Sequence, residues 1–309
     1  MKEKRFTDGI KNYMAQLEEE GRYSTAKSYR DAWRSFTTFC GTDDIPYSFI
    51  TKALLRRYEV FLLQGGCMRN TVSTYMRRLR CIYNRAVETG EAKYVPGLFR
   101  EVFTGIESIR KRSLPLPELH RLMTVPVRTP SLRATQLAVC LMFQYGGIPF
   151  VDFAHLKSGN LHGSRLSYHR KKTGTPISLE MLDSSYRMLQ ELSHHTRSSS
   201  PFLFPFLSGE KQGRAGYQEY RYALQRFNGQ LKVLSRCANL RVPVTSYSIR
   251  HSFANLLKEQ QVPVEVISEL LGHRSIRTTQ IYLRSFSLDR LKEVTDRCFR
   301  EVFSYKEED

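Results

Sequence analysis

Acidic side chains are scarce in this sequence. Asp and Glu number 30 against 48 Lys and Arg, a formal charge of +18 at neutral pH. That imbalance directs the protein to a polyanionic partner. Nucleic acid fits better than an anionic membrane surface, because no long basic amphipathic helix with a wide apolar face is present. Apolar runs approaching the roughly 20 residues that span a bilayer are missing. The opening stretch "MKEKRFTDGI" has no apolar signal-peptide core. Together these absences predict a cytoplasmic protein with no membrane partner.

Six cysteines are scattered through the chain (Cys40, Cys67, Cys81, Cys140, Cys237 and Cys298). None forms a CxxC pair, and none stands at metal-ligand spacing with a histidine. This argues against a disulfide scaffold or a zinc module and for reduced, mostly buried thiols; no metal and no cofactor are expected. Internal repeats and low-complexity segments are absent too, which excludes a solenoid. Tryptophan occurs once, but Phe and Tyr are plentiful and 41% of residues are hydrophobic, enough for real cores. At roughly 100–200 residues per domain, 309 residues predict two domains.

Apolar residues recur at helical spacing through the first ~105 positions. Tyr29, Trp33, Phe36 and Cys40 form one stripe, with Ser24 or Thr25 as its N-cap. Leu54, Leu55, Tyr58, Phe61 and Leu62 form another, stopped by Gly65-Gly66. A third helix, capped by Thr71 and ended by Gly90, has Val72, Tyr75, Met76, Leu79, Ile82, Tyr83 and Ala86 as its apolar stripe. Its other faces carry Arg69, Arg77, Arg78, Arg80 and Arg85, a pattern that suits both a solvated surface and contact with phosphates.

A basic run at Arg110, Lys111 and Arg112 is followed by Pro115 and Pro117, which rule out a continuous helix. The domain boundary falls here: residues 1–105, a linker over 106–116, and a second domain over 117–309. The second domain opens with a helix that has Pro117 near its first turn. The run "LRATQLAVCLMFQYGGIPFVDFAHL" then reads as an apolar helix broken at Gly146-Gly147. "RLSYHRKKTGTPISL" alternates and breaks at Thr173-Gly174, as a β-hairpin does. The remainder is helical, with Thr278 the expected cap of the short "TTQIYL" helix.

Chemistry-bearing residues cluster in the second half. Arg250 and His251 stand at a helix start, where a guanidinium and free N–H groups can face a phosphate. His273 follows a helix that stops at Gly272. Lys172 sits at the hairpin tip, where it can serve as a general acid. Tyr282 lies nine residues after His273, and as a nucleophile it needs cationic neighbours, since its pKa is near 10. Taken singly, each of these residues reads first as a surface or packing residue.

The ordered set "KTG", "RHSFANLL", "LLGH" and "TTQIYL" resembles the tyrosine recombinase, or phage-integrase-like, family over roughly residues 115–290. The branch it resembles is that of bacterial mobile-element recombinases and DNA invertases. The resemblance implies a mainly α protein: a helical SAM-like core-binding domain plus a mostly helical catalytic domain with a small antiparallel β-sheet. It implies that Tyr282 attacks the scissile phosphate to form a 3′-phosphotyrosine and that Arg250 clamps the non-bridging oxygens. His273 contacts the phosphate, Lys172 protonates the leaving 5′-oxygen, and His251 supports the site. It also implies double-stranded DNA recombination sites as partners, a homotetramer on two duplexes, host DNA-bending factors, and DNA contacts from Arg77, Arg78, Arg80, Lys111 and Arg112. Integration, excision and inversion all fit, and no additional N-terminal arm-binding domain is expected. The last residues form an amphipathic helix (Leu291, Val294, Cys298, Val302) that docks on a neighbouring subunit or on its own domain.

Two positions depart from the family pattern. Tyr247 stands where the motif H-x-x-R has its histidine; it offers a hydrogen bond but is a poor base at pH 7. The first catalytic arginine, usually in G-[LM]-R-x-x-E/D or just before the glycine, is replaced by Pro149 and Gly146 in "GGIPFVD". Asp152 fits the end of that motif and is expected to pair with an arginine of the site. Arg133 and Arg274 are the candidates for the missing cation. The loss keeps two other readings open, a weakened relative that only binds DNA and a type IB topoisomerase.

Overall fold

The computed structural model describes residues 4–107, 113–194 and 200–283, together with Lys292, Thr295, Asp296 and Arg300. The chain divides into two compact units. One is Met1–Arg110 with Gln212–Tyr217, the other Lys111–Lys211 with Gln218–Asp309.

The first unit is built on four helices, α1 (Phe6–Glu19), α2 (Tyr23–Cys40), α3 (Lys52–Gln64) and α4 (Arg69–Glu88). Their apolar stripes bury Phe6, Tyr29, Phe36, Tyr58, Met76, Leu79 and Ile82 in one core. Aromatic rings meet edge-on there: Phe36 and Tyr58 lie 5.0 Å apart, Phe6 and Tyr47 5.6 Å. α3 stops where Gly66 turns left-handed, and α4 where Gly90 does, at φ of 77° and 72°.

Two expected caps are corrected. α2 begins at Tyr23 and α4 at Arg69, so Ser24, Thr25 and Thr71 lie inside the first turns. Helix α3 does carry a side-chain cap, Thr51, whose hydroxyl accepts the Leu54 N–H at 3.2 Å.

The second unit contains α5 (Leu116–Thr124), α6 (Pro130–Gln144), α7 (Phe150–Phe153), a three-stranded antiparallel sheet, α8 (Asp183–Ser193), α9 (Gly213–Cys237) from Gln218 onward, α10 (Ser246–Glu259), α11 (Val264–Leu270) and α12 (Ile276–Tyr282). The strands are β1 (Leu161–His162), β2 (Arg165–His169) and β3 (Pro176–Glu180), in spatial order β1-β2-β3. The β2–β3 hairpin pairs Leu166 with Leu179 and Tyr168 with Ile177. Leu166, Tyr168 and Ile177 are buried, so the alternation turns one face inward. The two-residue β1 strand is too short to show in a periodicity.

α6 is apolar almost all round and buries Leu137, Ala138, Val139, Leu141 and Met142. α5, α8 and α10 pack against it. Thr129 caps it by accepting the Leu132 N–H, and Pro130 fills its first turn. The C-terminal helix expected around Leu291, Val294, Cys298 and Val302 lies outside the described residues. Among the described residues, no helix is long and apolar enough to cross a membrane.

Candidate active site

The broken end of α6 is where the site begins. Gly146 and Gly147 both adopt left-handed φ, 69° and 64°. A side chain at Gly147 would lie 3.2 Å from the Cα of Arg250. Pro149 follows and starts the one-turn helix α7; its carbonyl accepts the N–H groups of Asp152 and Phe153 at 2.9 and 3.0 Å. The "GGIPFVD" stretch thus contributes backbone carbonyls and a buried carboxylate, with no cation of its own.

Arg250 lies in the first half of α10 and is only 2% exposed. A buried guanidinium must be hydrogen-bonded to persist. Its Nη1 donates to the Gly147 carbonyl at 2.9 Å, and its Nη2 donates to the Leu271 carbonyl and approaches Nε2 of His273 at 3.2 Å. Guanidinium can only donate, so Nε2 accepts and the imidazole proton resides on Nδ1. That Nδ1–H faces the Thr279 hydroxyl at 2.9 Å. Burial pushes the His273 pKa down to about 4, and the charges of Arg250, Arg170 and Lys172 add to the shift, so the ring is neutral near pH 7.

The hairpin supplies the second part. Lys172 occupies the exposed β2–β3 turn, close enough for its charge to act on His273. Arg170, the first residue after β2, is 7% exposed. Its Nη1 donates to the carbonyls of Leu271 and Gly272 at 3.0 and 3.1 Å, and its Nε lies 3.5 Å from Oδ2 of Asp152. Asp152 also accepts the Lys171 backbone N–H at 2.9 Å. The arginine expected to pair with Asp152 is therefore Arg170, which the sequence hid inside a basic run. Arg274 donates in the other direction, from the loop after α11 back to the Thr173 carbonyl.

Gly272 makes this closure possible. At φ 61° it lies so near the hairpin that a Cβ would meet Ile177 Cδ1 at 2.5 Å and Arg170 Cδ at 2.7 Å.

Other candidate residues fall as follows. Tyr247, one turn before Arg250, is 51% exposed, and its ring stands edge-on to that of His251 with centroids 4.6 Å apart. Tyr282 closes α12, three residues and about one turn beyond the fully buried Thr279; its side chain lies outside the described residues. The expected cap is corrected: α12 starts after Ser275, which places Thr278 inside the helix.

Arg133 does not reach the site. It lies in the first turn of α6 and forks onto Glu191 at 2.7 and 2.8 Å, about 20 Å by helical rise from the Gly146 end. In the first unit, Arg77 and Arg80 are exposed, whereas Arg78 packs its guanidinium over the Tyr29 ring. Lys111 and Arg112 lie outside the described residues. Among the described residues, no three His, Cys, Asp or Glu side chains gather in a way that could hold a metal ion.

Comparison with known proteins identifies the family and the fold. Residues 5–97 match the family described as phage integrase SAM-like domain, and residues 112–288 match the phage integrase family. The tyrosine recombinase XerD of Listeria monocytogenes serotype 4b is 24% identical over 288 residues, covering 88% of this chain and 91% of that protein. A lambda integrase dimer bound to a COC′ core site superposes with a TM-score of 0.68 at 14% identity, covering 92% of this chain and 99% of that one. A lambda integrase tetramer bound to a Holliday junction gives a TM-score of 0.67 at 16% identity, covering 93% and 80%.

Proposed function

The chain belongs to the phage integrase family and is a tyrosine-type site-specific DNA recombinase, and from that premise we propose that it cleaves and rejoins double-stranded DNA through a 3′-phosphotyrosyl bond to Tyr282. The matches do not favour the binding-only or topoisomerase readings. The observation that carries the proposal is the pair of cations Arg250 and Lys172 around the neutral His273, beside the helix that ends in Tyr282.

Phosphodiester exchange builds negative charge on the phosphate oxygens, so fixed donors aimed at them lower the barrier. The Tyr282 oxygen attacks phosphorus as its proton passes to solvent water. The P–O5′ bond breaks, and the Lys172 ammonium passes a proton to the leaving 5′-oxygen. Arg250 holds the non-bridging oxygens, with His273 orienting its guanidinium. His251 and Tyr247 border the phosphate, while Asp152 holds the hairpin. The tyrosyl ester conserves the energy of the broken bond, so a 5′-hydroxyl from a second duplex can reverse the step without ATP.

In the same reading, residues 1–105 form a DNA-binding domain, with Arg77, Arg78 and Arg80 on backbone phosphates and the linker residues Lys111 and Arg112 beside them. Residues 117–309 form the catalytic domain. Four copies act on two duplexes in the cytoplasm, with host DNA-bending factors as accessories. The lambda integrase dimer on a core site and the tetramer on a Holliday junction support the DNA partner and the four-copy assembly by likeness of fold.

The test is direct. Purified protein is incubated with sheared genomic DNA of the cell that encodes it, and covalent complexes are collected under denaturing conditions. A 3′-linked adduct at one sequence, absent from Tyr282→Phe, is expected. Adduct formed equally by Tyr282→Phe would overturn the assignment.

A further inference from the structure

The geometry points to Arg170 as the residue that supplies the site's second buried positive charge, in place of the arginine missing at Gly146 and Pro149. The inference rests on the functional reading above and names the residue that completes it.

Three observations carry it. First, Arg170 is almost as buried as Arg250, and the two guanidiniums converge on one atom: both donate to the Leu271 carbonyl. Two buried like charges meeting at one carbonyl is an electrostatically costly arrangement. A site that gathers charge on an incoming phosphate gives that cost a use. Second, Asp152 is the only buried carboxylate among the described residues, and its contact is with Arg170 at 3.5 Å. Counting Arg250, Arg170 and Asp152 leaves the buried cluster net positive before exposed Lys172 is added. Third, Arg170 ties the hairpin that carries Lys172 to the Leu271–Gly272 turn that carries His273, and Arg274 ties them again through the Thr173 carbonyl. Lys172 and His273 are set relative to one another by these two cross-ties.

Arg170 reaches the reaction through what it positions, so it is a positioning residue. It hands its charge to the field around His273 and its fork to the loop. The groups facing His273 are Arg250 from α10, Arg170 and Lys172 from the hairpin, and Thr279 from α12. Glu265, Glu269 and Arg274 line the cleft alongside.

The test uses the full chain and, as substrate, the genomic fragment recovered in the Tyr282 adduct, nicked in its spacer so that cleavage is trapped. Arg170→Gln and Arg170→Lys are compared with the unchanged protein for single-turnover adduct rate, fragment affinity, thermal midpoint and pH profile. Arg170→Gln is expected to lower the adduct rate about 100-fold, the scale of losing one preorganised donor, with affinity changed by less than about threefold. Arg170→Lys keeps the charge and is expected to recover about tenfold of that loss. Removing the charge also lets His273 protonate more readily, so the acid limb of the rate profile moves to higher pH in Arg170→Gln and stays in place in Arg170→Lys.

If the two variants are equally slow and share the parent's acid limb, Arg170 is only a structural prop and the inference falls. It falls equally if Arg170→Gln cleaves at the parent's rate. Should Arg170→Gln not fold, Arg170→Lys decides alone: at least a tenth of the parental rate with an unmoved acid limb supports the inference, and a lower rate or a moved limb overturns it. Failure of the unchanged protein to form any Tyr282-dependent adduct overturns the functional reading, and the inference with it. Parental cleavage with no Arg170 effect overturns the inference alone.

Discussion

Nη2 of Arg250 and Nε2 of His273 lie 3.2 Å apart, and this fixes the imidazole as a neutral acceptor with its proton on Nδ1. The arginine presents its charge from a set position because the ring beside it carries none.

That neutrality is pH-limited. Burial, with the neighbouring cations, holds the folded pKa near 4 against an ordinary 6.5. Below pH 6.5 the unfolded chain takes up a proton that the folded ring declines until about pH 4. The contribution of His273 to stability is therefore complete above pH 6.5 and is lost as pH falls to about 4. Thermal midpoints measured across this window should fall less steeply for His273→Gln than for the unchanged protein. Identical slopes would contradict the assignment.

Gly272 and Gly163 share a left-handed backbone, at φ 61° and 60°, but only Gly272 is crowded. Gly163→Ala meets open space and should cost about 1 kcal/mol from backbone strain alone. Gly272→Ala adds a collision with Ile177 and Arg170 and should cost about 1–3 kcal/mol more. Urea titration of both variants checks the difference; equal losses would show that the loop and hairpin are not closely packed.

Arg133 makes an exposed ion pair with Glu191, with about half of each side chain in solvent. Arg133→Ala should change stability by less than about 1 kcal/mol and leave the rate of DNA cleavage unchanged. A large loss of cleavage at full DNA affinity would return Arg133 to the site.

Local pattern carried much of the fold. The stripe through Tyr29, Trp33 and Phe36, the stops at Gly66 and Gly90, and the alternation about Lys172 each depend on neighbours in sequence, and each appears in the structure. Caps were harder. Ser24, Thr25, Thr71 and Thr278 have the right side chains, but the helices begin earlier, because packing and backbone contacts set their starts. Of the candidate site, Arg250 and His273 were legible because each adjoins a distinctive run. Arg170 was not. Next to Lys171 and Lys172 it looks like one more surface cation, and only the approach of Gly272 and Asp152 from distant parts of the chain reveals it as buried. The same holds for Gly147: what the sequence shows as a lost arginine motif is, in space, the carbonyl that anchors Arg250.

The central claim is that Tyr282 forms the covalent bond to DNA. The measurement is the adduct itself, recovered from genomic DNA, digested with nuclease and protease, and read by mass spectrometry for the residue that retains a 3′-nucleotide. The account predicts a nucleotide on Tyr282, and no adduct from Tyr282→Phe. A nucleotide on any other residue, or a 5′-linked one, would contradict it.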